Sequence, residues 1–279
     1  MSTVAALRER CVPAVVTYVR SHAARHLGLG LLGVLALIGL WELGILYLVS
    51  QPETRAFGDF GPVPTFKAFP RLWEQGRIQE AIEASLVDRL GVGLLMSALI
   101  GIPLGILIGR SKRFREISHS PFQFIRMISP LAWMPLAVIV FAKWNHAIVY
   151  LIVIAAVWPV TYATAAGLAK MDPAWFKVAR NLGAKWIDVI TQVIVPAITY
   201  DILCGLRLAL GVAWIVLVPA EMLGVTSGLG YAIKDARETV DYSALTAMVV
   251  VIGAIGFTLD SIFVMLINRY SWYHRRAPS

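Results

Sequence analysis

The sequence predicts an all-α membrane protein with about six transmembrane helices. Of its 279 residues, 58% are hydrophobic and only 15% are charged, and the mean hydropathy is +0.71. These values lie outside the usual range of soluble domains. Uncharged apolar runs that approach the ~20 residues of a membrane-crossing helix recur along the chain. The clearest runs are residues 90–109, 147–169, 208–220 and 243–259.

The distribution of basic residues gives the orientation of these spans. The predicted spans are at about residues 27–50, 84–109, 118–142, 146–169, 189–220 and 243–267. With the N-terminus in the cytoplasm, fifteen of the 25 Lys and Arg residues fall on the cytoplasmic side and seven on the outer side. Cytoplasmic loops carry such an excess. Both termini are therefore predicted to be cytoplasmic, and the net charge of +8 needs no nucleic-acid partner.

The spans divide the chain into four parts. Residues 1–26 are basic and predict an amphipathic helix on the membrane surface. Residues 27–83 predict an uncleaved first span and an extracytoplasmic loop, in which residues 68–82 form a short helix. Residues 84–268 predict a core of five spans, and residues 269–279 a cytoplasmic tail.

The second span carries small residues on one face. Gly101, Gly105 and Gly109 follow one another at four-residue steps. Such spacing lets the backbone of another helix approach closely. The glycines therefore predict helix packing, within or between subunits, rather than direct contact with a substrate.

The third span is interrupted at SPLAWMPLA, residues 129–137, where two prolines lie five residues apart. Irregular backbone persists in membranes where protein or a water-filled cavity satisfies it, and transporters bind substrates at such breaks. The hypothesis is that this break borders a translocation path, and ordinary kinked packing is an equal alternative. The candidate path and gate residues are Ser129, Pro130, Trp133, Pro135, Trp158, Arg207, Trp214 and Glu221.

Two of these candidates are charged residues of the fifth span. Arg207 could attract an anion or pair with a carboxylate. Glu221 could latch an outer gate or cap the end of the span. There is no chain of acids and histidines for an ion-coupled carrier and no HExxH motif for a membrane enzyme. The two cysteines, Cys11 and Cys204, have no metal-binding or disulfide spacing.

A charged and aromatic segment, residues 172–188, separates the fourth and fifth spans. Asp172 and Pro173 predict the start of a helix, and Gly183 predicts its end. The predicted apolar face of this helix consists of Trp175, Val178, Ala179 and Leu182. The predicted opposite side consists of Lys177, Arg180 and Asn181. Taken alone, the segment could rest on lipid headgroups.

The same segment resembles the signature region of the permease subunits of bacterial ATP-binding-cassette (ABC) importers. The family pattern is Glu-Ala-Ala, three residues, Gly, nine residues, Ile, one residue, Leu-Pro. In this chain the matching positions are Lys177-Val178-Ala179, Gly183, Val193 and Val195-Pro196. RMISPLAWMPLAVIVF at 126–141 and GLRLALGVAW with VPAEML at 205–223 resemble permeases for nitrate, sulfonate, taurine and bicarbonate. The resemblance covers about residues 85–272.

The resemblance implies the architecture of a type I ABC importer in the bacterial cytoplasmic membrane. Its expected partners are a second permease copy in a homodimer, two cytoplasmic ATPase subunits, an extracytoplasmic solute-binding protein and membrane lipid. Residues 172–186 are then a coupling helix that docks on the ATPase. The expected contact residues are Trp175, Phe176, Lys177, Ala179, Arg180, Leu182, Gly183 and Ala184. Because the chain has no GxxxxGK[ST] motif, ATP and Mg are expected in the partner ATPase, and no cofactor or enzymatic activity is expected here.

The chain departs from the family pattern at two places, and its cargo is not specified. Lys177 replaces the first acid of the motif, and Tyr200 followed by Asp201 replaces a second proline. The leading expectation is import of a small anion of the nitrate, sulfonate or bicarbonate type. An organic acid or a vitamin-precursor heterocycle is the alternative cargo. A secondary carrier and a membrane scaffold are the rival functions.

Overall fold

The computed structural model describes residues 28–271, without the side chains of residues 55, 56 and 271. The predicted interfacial helix at 1–26 and most of the tail at 269–279 lie outside this range. The described chain is helical, and its α-helices are α1 (Gly28–Ser50), α2 (Pro62–Glu74), α3 (Arg77–Arg110), α4 (Lys112–Met127), α5 (Met134–Val140), α6 (Trp144–Ala169), α7 (Pro173–Asn181), α8 (Trp186–Gly224), α9 (Leu229–Glu238) and α10 (Tyr242–Ser271). Single π-helical turns interrupt α3 at Leu86–Gly91 and α8 at Val189–Ile194.

The chain divides into two compact units, residues 1–68 and 69–279. In the first unit, α1 is an apolar helix long enough to cross a membrane. A 3₁₀ helix, Pro52–Phe60, follows it, and the indole Nε1 of Trp41 donates a hydrogen bond to the carbonyl oxygen of Phe60 at 3.0 Å.

The extracytoplasmic segment differs from its prediction. A single short helix was predicted over residues 68–82, but α2 ends at Glu74 and α3 begins at Arg77. Gly76 between them has φ of +72°, a left-handed conformation that favours glycine and ends the helix. The second span, predicted to begin at residue 84, is therefore part of a longer helix whose first residues extend beyond the outer end of the span.

In the second unit, α3 packs along α6 through the predicted small face. A Cβ atom added at Gly105 would lie 2.5 Å from the carbonyl oxygen of Thr161, and one added at Gly109 would lie 3.0 Å from the Cβ of Leu168. Gly101 meets Val160 in the same way. The packing role predicted for these glycines is therefore observed between two helices of one chain.

The order of these contacts fixes the course of the third span. Residues that come later in α3 meet residues that come later in α6, so the two helices run in the same direction. The intervening segment, residues 112–140, must therefore carry the chain back across the membrane. It does so as two helices, Lys112–Met127 and Pro130–Val140, bent by 86°. The second unit thus has five crossings, and with α1 the described chain has the six that were predicted.

The fifth and sixth spans complete the core as antiparallel neighbours. The Cβ position of Gly205 in α8 faces Ala163 of α6, and Gly224 faces Trp144, so α8 runs opposite to α6. The Gly256 position of α10 faces the indole of Trp214 in α8. The central cluster that these helices share is almost entirely aliphatic, with Ile148, Leu151, Ile152, Ala213 and Leu217 fully buried.

Candidate functional site

The segment after α6 forms the short capped helix that the sequence predicts. The carboxylate of Asp172 accepts a hydrogen bond from the backbone N–H of Ala174 at 2.8 Å, which caps the start of α7. At the other end, Gly183 has φ of +76° and the N–H of Ala184 donates to the carbonyl oxygen of Ala179 at 3.1 Å. This is the Schellman geometry in which glycine is favoured. The turn lets the chain reverse and begin α8 at Trp186.

One side of α7 is held against the membrane-spanning helices. The ring of Phe176 packs on the cluster around Ile194 and Ile198. The guanidinium carbon of Arg110, at the end of α3, lies 5.3 Å from the centroid of the same ring. This distance is within the range of a cation–π contact. Phe176 therefore connects α7 to both α3 and α8.

The other side of α7 is exposed although it is apolar. The exposed fractions of Trp175, Val178 and Leu182 are 51%, 57% and 81%. They line an open depression of about 650 Å³ that continues onto the first turns of α8. Ala179, which was predicted to share their face, lines the same depression and is 7% exposed. Large apolar side chains grouped at a surface are typical of a protein contact.

The basic residues of this segment lie in solution around the apolar group. Lys177 and Arg180 are exposed. Gly183 also lies at the surface, and Ala184 is half-buried beside it. Five of the eight predicted coupling residues are thus exposed on the side of the membrane at which α3 and α6 end, while Phe176 and Ala184 are half-buried and Ala179 is buried.

An ion pair joins the start of this segment to the fifth span. Lys170 Nζ lies 2.7 Å from Asp201 Oδ1, and Lys170 immediately follows α6. The hydrogen bond that Lys170 donates to Asp201, followed by the negative charge of Asp201, raises the pKa of Lys170. The Cβ position of Gly167 lies 2.7 Å from Asp201 Cβ, so α6 and α8 are in close contact here. This pair accounts for Asp201, whose partner the sequence did not reveal.

The predicted path residues of the third span lie on both sides of its bend. Ser129 and Pro135 are exposed, whereas Pro130 and Trp133 are half-buried. Trp133 packs on the central aliphatic cluster, and its Nε1 is buried with no acceptor among the residues that the structure describes. Trp158 is turned instead toward α4, with its ring centroid 5.3 Å from that of Phe122.

The remaining path candidates occupy separate positions on α8. Trp214 lies against α10 at Gly256. Arg207 forms a two-pronged ion pair with Asp260 of α10, with Nε to Oδ1 at 2.7 Å and Nη2 to Oδ2 at 2.8 Å. Glu221 lies at the far end of α8. The structure therefore does not gather the eight candidates around one cavity within a single chain.

Glu221 is part of a buried polar cluster that the sequence did not reveal. Its carboxylate receives hydrogen bonds from Arg89 at 2.5 Å, from Ser85 at 2.7 Å and from the N–H of Gly230 at 2.8 Å. Arg89 also donates to Asn145 and to both the backbone and the hydroxyl of Ser227. These bonds hold together α3, α6, α8 and the loop before α9 at the outer end.

Burial distinguishes this cluster from the other charged pairs. The side chains of Arg89 and Glu221 are 1% and 0% exposed. Arg89 lies near the outer end of the second span and is among the largest fully buried side chains of the described residues. The four-residue spacing of Ser85 and Arg89, which places both on one face of α3, was the available signal.

Comparison with known proteins places this architecture in a family. The family described as binding-protein-dependent transport system inner membrane component matches residues 101–272, more than half of the chain. The bicarbonate transport system permease protein CmpB of Synechococcus elongatus is 33% identical over 259 residues, which cover 87% of this chain and 88% of the relative.

Two further relatives have similar identity. The putative aliphatic sulfonates transport permease protein SsuC of Bacillus subtilis is 35% identical over 86% of this chain and 85% of its own length. The nitrate import permease protein NrtB of Leptolyngbya laminosa is 34% identical over 67% of each chain. The three relatives are named for three different small anions.

Proposed function

Because this chain belongs to the family of binding-protein-dependent transport system inner membrane components, we propose that it is the permease subunit of an ATP-driven importer for a small anion. It is a multi-pass protein of the bacterial inner membrane and a member of the bicarbonate, nitrate and sulfonate permease group. The proposal adds the coupling to a separate ATPase and the movement of a bicarbonate-, nitrate- or sulfonate-type anion by alternating access.

The observation that carries the proposal is the exposed apolar side of α7. Trp175, Val178 and Leu182 would be hidden from water if a cytoplasmic protein covered the depression that they line. A helix resting on lipid would need no such depression. The proposed occupant is an ABC ATPase, which binds the ATP and Mg that the family's transport cycle uses.

The anchoring of α7 supports a mechanical role for this contact. Phe176 touches α3 and α8, and Lys170 ties the preceding turn to Asp201 of α8. A displacement of α7 by the ATPase would therefore move the inner ends of two or three spans together, since packed interiors transmit strain. In the proposed importer, the translocation path lies between two copies of the permease. Movement of the spans in both copies opens this path in turn to the outer side and to the cytoplasm.

The proposed assembly follows the division of labour in the family. A second copy of this chain supplies the other half of the permease, and two ATPase subunits dock on the two coupling helices. An extracytoplasmic solute-binding protein delivers the anion to the outer end. The roles proposed for Lys177 and Arg180 are contacts with acidic side chains of the ATPase, because both are exposed and basic.

Substitution of Leu182 tests the coupling contact. The chain is co-expressed with its candidate ABC ATPase, and the complex is purified and reconstituted in liposomes. Leu182→Asp places a charge in the centre of the proposed interface and is expected to weaken the complex by about 2 kcal/mol or more, roughly 30-fold in affinity. Val240→Asp is the control, because Val240 is also an exposed apolar loop residue, 63% exposed, but lies between α9 and α10.

The two variants give opposite expectations for ATP-driven uptake. Leu182→Asp should weaken ATPase association roughly 30-fold and reduce ATP-driven uptake accordingly, while Val240→Asp should keep the association. Uptake that proceeds unchanged in Leu182→Asp contradicts the coupling proposal. Uptake in wild-type liposomes without any ATPase indicates a secondary carrier instead.

Competition measurements test the class of cargo. Labelled nitrate, bicarbonate and an alkyl sulfonate are offered in turn with the cognate binding protein present. Saturable ATP-dependent uptake of one of them, inhibited by the others only at high concentration, is the expected result. Uptake of an organic acid or a neutral heterocycle with no uptake of the three anions contradicts the anion proposal.

A further inference from the structure

The pair formed by Arg207 and Asp260 lies deep within the fifth and sixth spans. Asp201 marks the inner end of α8, because it pairs with Lys170 at the end of α6, and Gly224 marks the outer end against Trp144. Arg207 is about 9 Å along the helix from Asp201 and about 26 Å from Gly224. It is therefore inside the membrane, in its cytoplasmic half.

This pair is unusually open for its depth. The side chains of Arg207 and Asp260 are 43% and 49% exposed. Neighbouring apolar side chains on the same two helices, Ile215 and Phe257, are 75% and 76% exposed. An ionic pair inside a membrane normally faces protein or water rather than hydrocarbon. The exposed face of α8 and α10 is therefore not a lipid-facing surface at the level of Arg207.

The hydrogen bonding of Arg207 leaves half of its guanidinium free. Asp260 occupies the edge formed by Nε and Nη2. Within residues 28–271, the Nη1 group of Arg207 has no acceptor. The second edge of the guanidinium, formed by Nη1 and Nη2, is therefore not used by the pair. A guanidinium has five N–H donors, and each of its edges matches two oxygens of one oxyanion. Nitrate, bicarbonate and sulfonate all present such oxygens.

We infer that Arg207 is the anion-binding residue of the translocation path, with Asp260 as its fixed counter-ion. This inference depends on the proposed function, since it assigns the contact that the cargo makes inside the permease. The free edge of the guanidinium donates hydrogen bonds to two oxygens of the anion, while the other edge donates to Asp260. Because Asp260 offsets the charge of Arg207, the anion is held weakly and can leave, as passage along a path requires.

The neighbourhood of Arg207 offers a reporter position that leaves the pair intact. Gly211 is one helical turn from Arg207, about 6 Å along α8, and its exposed Cβ position has no atom within 4 Å. A cysteine fits there without displacing other atoms. The natural cysteines, Cys11 and Cys204, are first replaced by serine. Gly211→Cys then reports whether this face is in contact with water.

Thiol-modification rates in reconstituted membranes test the inference without requiring transport. The complex with its ATPase is treated with an anionic sulfonate and a cationic ammonium methanethiosulfonate reagent. Gly211→Cys is expected to react with both, while Leu99→Cys, at an exposed apolar position of α3, is expected to stay unreactive. Reaction of the Leu99→Cys control at the same rate as Gly211→Cys, or no reaction at Gly211→Cys, overturns the inference.

The charge preference of the reaction identifies the role of Arg207. The ratio of anionic to cationic rates is measured in three backgrounds, wild type, Asp260→Asn, and Arg207→Gln with Asp260→Asn. Asp260→Asn should raise the ratio, and the neutral double variant should lower it about tenfold below that of Asp260→Asn, the effect of one nearby charge in a partly aqueous site. Nitrate should slow the anionic reagent only where Arg207 is present.

The neutral double variant also separates this role from a purely structural one. If the pair only joined α8 to α10 and Arg207 did not face the path, the neutral double variant would have the same rate ratio as Asp260→Asn, and that result overturns the inference. Arg207→Lys, which keeps the charge, should keep most of the ratio. Failure of the proposed function has a different signature, namely absence of ATP-driven uptake while the rate ratios follow the expected order.

Discussion

Two arginine–carboxylate pairs of this permease use the same chemistry in opposite surroundings. At the outer end, Arg89 and Glu221 are fully buried. Surrounding polar groups, together with the bond between the two residues, satisfy their hydrogen-bonding atoms. In the inner half, Arg207 and Asp260 are about half exposed and bond only to each other within the described chain. A fully satisfied pair is suited to hold helices together, whereas a partly open pair retains donors for a ligand.

The difference assigns separate tasks to the two ends of the spans. The sealed cluster joins three spans and the loop before α9, so the outer ends form one block. The inner ends are joined by fewer bonds, through Lys170 and Phe176, and carry the exposed side of α7. An importer moved by its ATPase is expected to be rigid where its helices pivot and deformable where they are driven.

The largest expected effect comes from removing one partner of the sealed pair. Arg89→Ala leaves Glu221 charged, buried and short of a partner, which typically costs about 3–5 kcal/mol. The purified protein should lose folded yield and unfold at a clearly lower temperature, as followed by size-exclusion chromatography after heating. Arg207→Ala should leave the unfolding temperature nearly unchanged, because Asp260 remains accessible to water. Equal losses in the two variants would remove the distinction between the pairs.

A smaller effect is expected from the glycine that covers the sealed pair. Gly228 has φ of +107°, and a Cβ there would collide with Arg89 and Glu221. Gly228→Ala therefore combines backbone strain with displacement of the pair, and a loss of about 2–4 kcal/mol is expected. Gly183→Ala is the matched control, because its φ is also positive but its Cβ position is open. The control should lose only about 1–2 kcal/mol.

The comparison of these two glycines is measured by the heating assay used for Arg89. Gly228→Ala should approach the behaviour of Arg89→Ala, and Gly183→Ala should unfold at a temperature between those of Gly228→Ala and wild type. If Gly183→Ala is as unstable as Gly228→Ala, backbone conformation alone explains both losses. The loop that precedes α9 would then have no special part in sealing the cluster.

Sequence could predict those features whose causes lie close together in the chain. The spans follow from long apolar runs, and the nine-residue helix α7 follows from Asp172, which precedes it, and Gly183, which ends it. The four-residue spacing of the glycines of α3 predicted close packing against another helix. Only the identity of the packing partner, α6, needed the structure.

The features that sequence could not predict depend on distant partners. Arg89 and Glu221 are 132 positions apart, so nothing local indicates that they meet. The exposure of Arg207 depends on how α10 is placed, and the low exposure of Ala179 depends on how α7 rests on α8. The prolines indicated an interruption in the third span, but its angle of 86° is set by packing.

The smallest expected effect concerns a third arginine–carboxylate pair, whose side chains are 50% and 31% exposed. Arg71 Nη2 is 2.6 Å from Asp241 Oδ2, and Asp241 also accepts hydrogen bonds from the N–H of Ala244 and the hydroxyl of Ser243 at the start of α10. Partial burial opposes ionisation of Asp241, but the bonds from Ala244 and Ser243 and the charge of Arg71 together lower its pKa.

The lowered pKa gives a defined pH dependence. Because the folded-state pKa of Asp241 is below its ordinary value of 3.8, its contribution to stability is present above that pH and is lost as the pH falls through the folded-state pKa. Asp241→Asn retains a capping oxygen but cannot ionise, so it should remove a small part of the acid sensitivity below about pH 4 while changing stability little at pH 7. Thermal unfolding of both proteins between pH 3 and pH 7 measures this difference. If the difference in unfolding temperature between the two proteins is the same at every pH in that range, Asp241 stabilises the start of α10 only as a helix cap. The exposed pair of Arg71 and Asp241 would then contribute nothing to stability as an ion pair, in contrast to the buried pair of Arg89 and Glu221.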